Sequence, residues 1–232
     1  MNTFLMILFI TLCVGSASAF IYLRVTHVGL QGFWGKLIAS ALFVTGGISA
    51  LMLKETASTY MYFFVIGLFL SMIGDVLLEL KTIYRPHEYQ YTNGGICAFA
   101  LAHVAYIIGI TIFATATKDI LVPVFVSLAI GAVLATLIIV NSKSMGIDFS
   151  VHKGPVIGYS FILCIDFVYA VALSFLIPAL WVVAVGLLLF LVSDLFLSFI
   201  YWGNKNTNKM NVLNLSFYYA AQIIIMIFLF AI

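Results

Sequence analysis

Two acidic residues stand inside long apolar stretches of this 232-residue chain, where a helix that crosses a bilayer should carry no charge. Asp75 lies in GLFLSMIGDVLLEL (67–80), and Asp194 lies in GLLLFLVSDLFLSF (186–199). A carboxylate at membrane depth costs about 2.5–3.5 kcal/mol, so such residues usually serve a function. Two facing carboxylates in a site of low dielectric do not both ionise readily, so one keeps its proton. The pair therefore predicts a general acid beside a general base, as in the cleavage of acetal-like bonds.

The two apolar stretches repeat one another along the chain. A shift of 119 residues places Asp75 on Asp194, and the same shift places His103 on Gln222. Because the shift moves four helices along the chain and keeps their direction, it predicts a 4+4 parallel internal repeat. The alternative to a catalytic role is that each acid accepts hydrogen bonds from neighbouring helices or pairs with a Lys, and only holds the bundle together.

Other polar side chains within the apolar runs form a second group of candidates. His103 shares one helical face with Phe99 and Tyr106, which suggests a proton relay or a substrate-orienting role, whereas the alternative is a core histidine. Lys36 is the cation best placed to bind a lipid phosphate, and the alternative is a side chain that extends to the membrane interface. Further supporting candidates are Ser71, Tyr106, Tyr159, Tyr219 and Gln222.

The remaining acids and the cysteines are expected to have lesser roles. Asp166, a third acid inside an apolar run, is expected to pair with a Tyr or a Lys. Glu79, Asp119 and Asp148 lie at helix ends or in links and are expected to be solvated. The three cysteines lie in apolar runs, and no HxxxH, CxxC or HExxH spacing occurs, so neither a disulfide nor a metal site is expected. No P-loop and no GxSxG nucleophile motif occurs either.

The composition identifies a helical membrane protein. The chain is 65% hydrophobic and 8% charged, whereas a soluble domain carries about 25% charged residues. A spanning helix needs about 20 mostly apolar residues. Eight runs meet this requirement: 3–23, 33–53, 59–80, 93–116, 119–140, 155–173, 176–201 and 211–231. No linker divides them, so residues 1–232 are predicted to form a single all-α membrane domain with eight transmembrane helices. The net charge of +2 gives no reason to expect a nucleic-acid partner.

The distribution of Lys and Arg predicts the orientation in the membrane. Eight of the ten lie in or beside the links that follow odd-numbered helices, and only Lys54 and Lys118 lie on the other side. The positive-inside rule therefore places both termini outside the cytoplasm. The expected location is a bacterial inner membrane, which the protein crosses several times. Residues 17–19 (ASA) resemble a signal-peptidase site, but no Lys or Arg precedes the apolar run, so a retained first helix is predicted. In this topology the polar candidates converge on the cytoplasmic half of the bilayer.

Together these residues resemble the lysoplasmalogenase family of YhhN-like membrane proteins. The order and spacing of several short motifs, with the matched pair of acids, carry the resemblance across helices 2 to 8. The motifs are Lys36, SMIGDVLL (71–78), Gly95, Phe99, His103 and Tyr106 in GGICAFALAHVAY, Tyr159, LVSDLFLS (191–198) and YYAAQIII (218–225).

The resemblance implies a membrane hydrolase that cleaves the vinyl ether bond of lysoplasmalogens, a class of lysophospholipid. The implied products are a fatty aldehyde and glycerophosphoethanolamine or glycerophosphocholine. The implied partners are the lysophospholipid substrate and the lipids of the membrane, and no cofactor is implied. The family's two motif acids match Asp75 and Asp194, and we expect Asp75 to be the acid. A transporter or proton-coupled permease is the alternative, because such proteins also carry buried acids and internal repeats. A purely structural or receptor-like protein would leave the two acids unexplained.

Overall fold

Eight α-helices make up most of a computed structural model that describes residues 2–26, 30–116 and 118–232. They are α1 (Asn2–Thr26), α2 (Leu30–Met52), α3 (Thr59–Ile83), α4 (Glu88–Thr115), α5 (Leu121–Asn141), α6 (Lys153–Ser174), α7 (Trp181–Trp202) and α8 (Asn208–Ala231). These described ranges contain no strand. Each helix is long and apolar enough to cross a membrane, so the prediction of an eight-helix, all-α membrane protein is confirmed.

The helix ends differ from the predicted ones by up to five residues, and local chemistry explains the differences. The fourth helix begins at Glu88 rather than at residue 93. Its first turns are polar, so the apolar run does not include them, yet they are helical. The seventh begins at Trp181 rather than at residue 176, because a 3₁₀ turn at Pro178–Leu180 precedes it. The eighth begins at Asn208, where the Thr207 hydroxyl accepts a hydrogen bond from the backbone of the first turn and caps the helix.

Consecutive helices pack in pairs, and glycines allow a close approach within the α3–α4 pair. α3 lies along α4, α5 along α6 and α7 along α8. Gly74 on α3 faces the ring of Phe99 on α4, and an added Cβ would come within 2.7 Å of that ring. Gly67 faces the ring of Tyr106 in the same way. Small residues at such contacts let the backbones of membrane helices approach one another.

Several contacts recur in the two halves of the bundle, α1–α4 and α5–α8. α2 packs against α8, and α6 packs against α4. Ser40 on α2 donates a hydrogen bond of 2.5 Å to Asp75 on α3, and Tyr159 on α6 donates one to Asp194 on α7. Each bond joins residues 35 positions apart, and the two hydroxyl residues are themselves 119 positions apart. These contacts agree with the predicted 4+4 parallel repeat.

The acids and their partners gather toward one end of the bundle, at which the even-numbered helices begin. Asp75 and Asp194 lie in the second halves of α3 and α7, and Lys36 lies within the first two turns of α2. At the other end, the ammonium group of Lys54 donates a hydrogen bond to the carbonyl of Ile232. The structure therefore places the two acids and Lys36 in the same half of the bundle, and the side of the membrane that this half faces stays a prediction.

Candidate functional site

Asp75 is the centre of a buried polar cluster formed by three helices. Its Oδ1 lies 3.2 Å from Nζ of Lys36, and its Oδ2 accepts hydrogen bonds from Ser40 (2.5 Å) and Tyr218 (2.6 Å). Lys36 and Ser40 lie one turn apart on α2 and so reach the carboxylate together, whereas Tyr218 comes from α8. Asp75 is 2% exposed and Lys36 is 8% exposed. A buried charge is tolerated when it is paired and hydrogen-bonded, and both conditions are met here.

This geometry changes the interpretation of Lys36. The sequence suggested either a phosphate-binding ammonium group or a side chain that extends to the interface. The side chain is instead buried, and its ammonium group points inward to Asp75. Extension to the interface is therefore wrong, because the carboxylate holds the ammonium group inside the bundle. Phosphate binding by Lys36 stays a prediction.

Asp194 has a simpler environment than Asp75. It is partly exposed, and its Oδ2 accepts a hydrogen bond from the Tyr159 hydroxyl of α6. Within the described ranges, no Lys, Arg or His nitrogen lies at salt-bridge distance from its carboxylate. The two acids therefore differ in kind, because Asp75 contacts a cation and Asp194 contacts a neutral hydroxyl.

The two acids line the same polar cavity, which we call the polar chamber. Its volume is about 40 Å³, and because one water molecule needs about 10–15 Å³ it has room for a few. Six helices contribute to its wall: Phe20, Arg24, Lys36, Asp75, Leu78, Glu79, Phe99, Ser193, Asp194, Leu197, Tyr201, Asn211, Asn214, Leu215 and Tyr218. Both carboxylates can therefore act on one molecule bound in this space.

A second cavity, which we call the apolar chamber, adjoins the polar chamber. Its volume is about 60 Å³, and mostly apolar side chains line it, with Tyr159 hydrogen-bonded to the acid. Five residues line both chambers: Leu78, Phe99, Asp194, Leu197 and Tyr201. A polar and an apolar space that meet at a carboxylate suit an amphiphilic molecule, with its polar part in one chamber and its apolar part in the other.

A buried His–Asp pair lies behind Asp194. Nδ1 of His103 lies 2.8 Å from Oδ2 of Asp166, and both residues are 0% exposed. The imidazole packs against Phe190 and Tyr159, with ring centroids 4.6 and 5.9 Å away. Asp166 therefore pairs with a histidine, and the expectation of a Tyr or Lys partner is wrong. Within the described residues, no third His, Cys, Asp or Glu joins this pair in a group that could hold a metal ion.

Four other predicted site residues lie behind the chamber walls in a buried polar layer. The Tyr106 hydroxyl lies 3.4 Å from Oε1 of Gln222 and beside Ser71. Tyr219 packs edge-on against Phe20, with ring centroids 6.0 Å apart. All four are buried. They lie where α3, α4 and α8 meet, and a supporting role for them stays a prediction.

Glu79 corrects one expectation drawn from the sequence. It was predicted to be solvated, yet it is 3% exposed because Arg24, at the end of α1, pairs with it. Nη1 of Arg24 lies 2.7 Å from Oε1 of Glu79. The other two acids predicted to be solvated, Asp119 and Asp148, are exposed.

Two direct partners of Asp75 were missed at the sequence level. Tyr218 entered the sequence interpretation as the first residue of the motif YYAAQIII (218–225), and Ser40 was not considered. A signal for Ser40 was available, because it lies 119 residues before Tyr159, the corresponding partner of Asp194. No comparable signal exists for Tyr218, because the residue 119 positions before it is Phe99, which has no hydroxyl.

Comparison with known protein families identifies the chain. The family model described as YhhN matches residues 34–228, from the first turns of α2 to the last turn of α8. The chain belongs to the YhhN family. In this YhhN-family protein the matched region contains Asp75, Asp194 and their hydrogen-bond donors, whereas Arg24 precedes it. No curated protein and no solved structure gives a significant match.

Proposed function

We propose that this protein is a membrane hydrolase of the lysoplasmalogenase type, which cleaves the vinyl ether bond of single-chain ether phospholipids. The observation that carries the proposal is the pair of carboxylates, Asp75 and Asp194, on one polar chamber beside an apolar one. Membership of the YhhN family supports it. The products are a fatty aldehyde and glycerophosphoethanolamine or glycerophosphocholine.

The reaction begins with the protonation of carbon. An acid delivers a proton to the β-carbon of the vinyl ether, the π-electron pair forms the new C–H bond, and an oxocarbenium ion remains. Water adds to the cationic carbon and gives its proton to a base, which produces a hemiacetal. The hemiacetal breaks its C–O bond to glycerol, whose oxygen takes up a proton, and its hydroxyl proton is released as the aldehyde forms. Positioned acid–base groups typically accelerate such steps 10²–10⁴-fold.

The contacts of the two acids favour different roles. Asp75 is ion-paired with Lys36, so it suits the carboxylate that faces the oxocarbenium ion and accepts the proton of water. Asp194 accepts one hydrogen bond from the neutral hydroxyl of Tyr159, and its other oxygen is available to carry the proton for carbon. We therefore assign Asp194 as the acid, which reverses the expectation from the sequence.

These roles close the proton cycle without a further reactant. In the last step, Asp75 returns the proton taken from water to the departing glycerol oxygen, and Asp194 takes the hemiacetal hydroxyl proton. Each cycle therefore consumes one water molecule and restores both acids. The pair formed by His103 and Asp166 lies behind this site and positions Tyr159, through which it holds Asp194 in place.

The two chambers suit a lipid with one tail. The carbons next to the ether occupy the apolar chamber, and the vinyl ether lies at the junction of the two chambers beside Asp194. At about 40 Å³ the polar chamber takes the reacting water and the first atoms of the glycerol, so the headgroup extends from it on the more open side, where Arg24 lies. At about 60 Å³ the apolar chamber takes only the first carbons of the chain, so the rest of the tail extends between the helices toward the lipid. One chamber of this kind accommodates one chain, which favours a lysolipid over a two-chain phospholipid.

The experiment that tests this proposal compares two ether lipids in detergent micelles. Purified protein is offered a lysoplasmalogen and a saturated 1-O-alkyl lysolipid of the same chain length and headgroup. We expect aldehyde from the vinyl ether alone, because the saturated ether has no carbon that an acid can protonate to an oxocarbenium ion. Failure of folded protein to release aldehyde from lysoplasmalogens with either an ethanolamine or a choline headgroup would refute the proposal. That result would favour the transporter alternative, since transport requires a sealed compartment.

A further inference from the structure

A second charged pair forms part of the polar chamber and takes no part in the reaction described above. Arg24, at the end of α1, contributes Nη1, which lies 2.7 Å from Oε1 of Glu79 on α3. The side chain of Glu79 is 4% exposed, whereas that of Arg24 is 25% exposed. The carboxylate is therefore inside the chamber wall, and the guanidinium group is on its more open side.

The charges of the polar chamber favour a ligand that carries both signs. Lys36 is paired with Asp75, and Arg24 is paired with Glu79, so these four groups balance one another. The remaining acid, Asp194, carries the proton for carbon in the proposed reaction and supplies no positive charge. A headgroup with only a negative charge would therefore take Arg24 from Glu79 and leave the Glu79 carboxylate without a cation. A phosphate that is linked to an ammonium group supplies one partner for each member of the Arg24–Glu79 pair.

We propose that Arg24 and Glu79 form the headgroup site and that they select phosphoethanolamine, an inference that rests on the proposed function. The guanidinium group binds the phosphate, because its planar set of N–H donors matches two phosphate oxygens at once. Glu79 binds the primary ammonium group, which donates hydrogen bonds to its carboxylate. The headgroup thereby takes the place of the direct Arg24–Glu79 contact, and each charged group keeps a partner of opposite sign.

The spacing along α3 supports this assignment. Glu79 lies one helical turn after Asp75, a rise of about 6 Å. A glycerol unit with its flanking oxygens spans about that length, so a lipid whose ether lies between the two Asp side chains brings its phosphate to the Arg24–Glu79 pair. The chain that joins phosphate to ammonium then needs to reach only from Arg24 to Glu79, which are already in contact.

A choline headgroup is a poorer fit to the same pair. Its quaternary ammonium group has no N–H to donate to Glu79, and proteins usually bind such groups on the faces of aromatic rings. Tyr201 lines the same chamber, but the ammonium group of Lys81 lies 3.0 Å from the centroid of its ring. That ring face is therefore already covered by a cation.

Binding of uncleavable lipids tests the site separately from the reaction. Purified protein in micelles is titrated with saturated 1-O-alkyl lysolipids that carry ethanolamine, choline or glycerol headgroups on one chain, and calorimetry gives each Kd. A hydrogen bond to a charged group contributes about 1.5–3 kcal/mol, so we expect the ethanolamine lipid to bind about 10-fold or more tighter than the other two. Similar Kd values for the three headgroups would overturn the proposal.

Variants of the pair identify the residues responsible. Glu79→Gln should bring the Kd of the ethanolamine lipid to within about twofold of the choline lipid, whereas Arg24→Gln should weaken binding of all three about 10-fold or more. Glu55→Gln is the matched control, because Glu55 is exposed and lies in the link between α2 and α3, at the other end of the bundle. It should keep the wild-type preference.

The remaining arms separate the possible failures. If Glu79→Gln does not fold, Glu79→Asp retains the carboxylate and should keep the order of affinities, with weaker ethanolamine binding. An unchanged ethanolamine preference in folded Glu79→Gln contradicts the site. A headgroup preference without aldehyde release would refute the proposed reaction and leave the headgroup site supported. Aldehyde release without a headgroup preference would support the reaction and refute the headgroup site.

Discussion

The ion pair between Lys36 and Asp75 allows a quantitative prediction. Nζ and Oδ1 lie 3.2 Å apart, and the residues are 8% and 2% exposed. Lys36→Met keeps most of the volume of the side chain but leaves a buried carboxylate with two hydroxyl donors and no cation. Removal of one partner of a buried ion pair costs about 3–5 kcal/mol. For a chain of this length, each kcal/mol lowers Tm by about 2–4 °C, so we expect a fall of about 6–20 °C.

The second half of the prediction concerns the double variant. Asp75→Asn removes the charge, and the amide oxygen still accepts hydrogen bonds from Ser40 and Tyr218. Lys36→Met with Asp75→Asn should therefore be more stable than Lys36→Met alone, with a coupling energy of up to about 3 kcal/mol. Lys143→Met, at an exposed position, should leave Tm nearly unchanged.

Thermal unfolding of the wild type, the two single variants, the double variant and the Lys143→Met control in the same detergent measures this coupling. If Lys36→Met changed Tm as little as Lys143→Met, Lys36 would not be stabilising the buried carboxylate of Asp75. If the effects of the two site substitutions added to within about 0.5 kcal/mol, the residues would be energetically independent. Either result would refute the reasoning about the centre of the site.

Three further predictions concern the walls around the acids. Gly74→Ala should lower the free energy of unfolding by about 1–3 kcal/mol, because the new Cβ overlaps an aromatic ring. Gly158→Ala is the control, because the space at its Cβ is open, and it should leave the free energy of unfolding unchanged. Chemical denaturation in micelles measures both. Ser198→Leu, in the apolar chamber, should raise KM for long-chain substrates more than for short-chain ones, and equal effects would argue against a tail site. Asp166→Leu should lower kcat while KM changes little, because it removes the oxygen that orients His103; a change in KM alone would contradict a positioning role.

The fold was largely predictable, because hydrophobic length alone decides which segments can cross a bilayer. Each of the eight apolar runs became a helix, and the errors lie at the helix ends. At the start of α4, polar residues from Glu88 onward continue the helix beyond the apolar run. At the start of α7, Pro178 begins a separate 3₁₀ turn. Hydropathy identifies the spanning segment and carries little information about the polar turns that extend it.

The site was predictable where the chain repeats itself and unpredictable where distant helices meet. Asp75 and Asp194 stand out because each is a charge in an apolar run. The partners of Asp75 depend on how α2, α3 and α8 rotate against one another, and a single sequence does not contain that information. The same limit explains Glu79, whose burial depends on the position of Arg24 at the end of another helix.

The direction of a long side chain is also decided by its surroundings. Lys36 is near the start of its helix, where extension to the interface and inward pairing are equally possible from the sequence. The ammonium group points inward because Asp75 and the buried hydroxyl groups around it provide a polar site that compensates for lost hydration. A charged residue near a helix end is therefore best interpreted together with any acid one or two turns away on a neighbouring helix.

The most direct test of the central claim is the rate of aldehyde release from a lysoplasmalogen by Asp75→Asn and Asp194→Asn proteins. Asp119→Asn, which changes an exposed acid at the start of α5, is the matched control, and thermal unfolding verifies that all variants are folded. We predict that the control keeps the wild-type kcat and that each site variant loses at least about 10²-fold. Full turnover by either folded site variant would contradict a mechanism that requires both carboxyl groups.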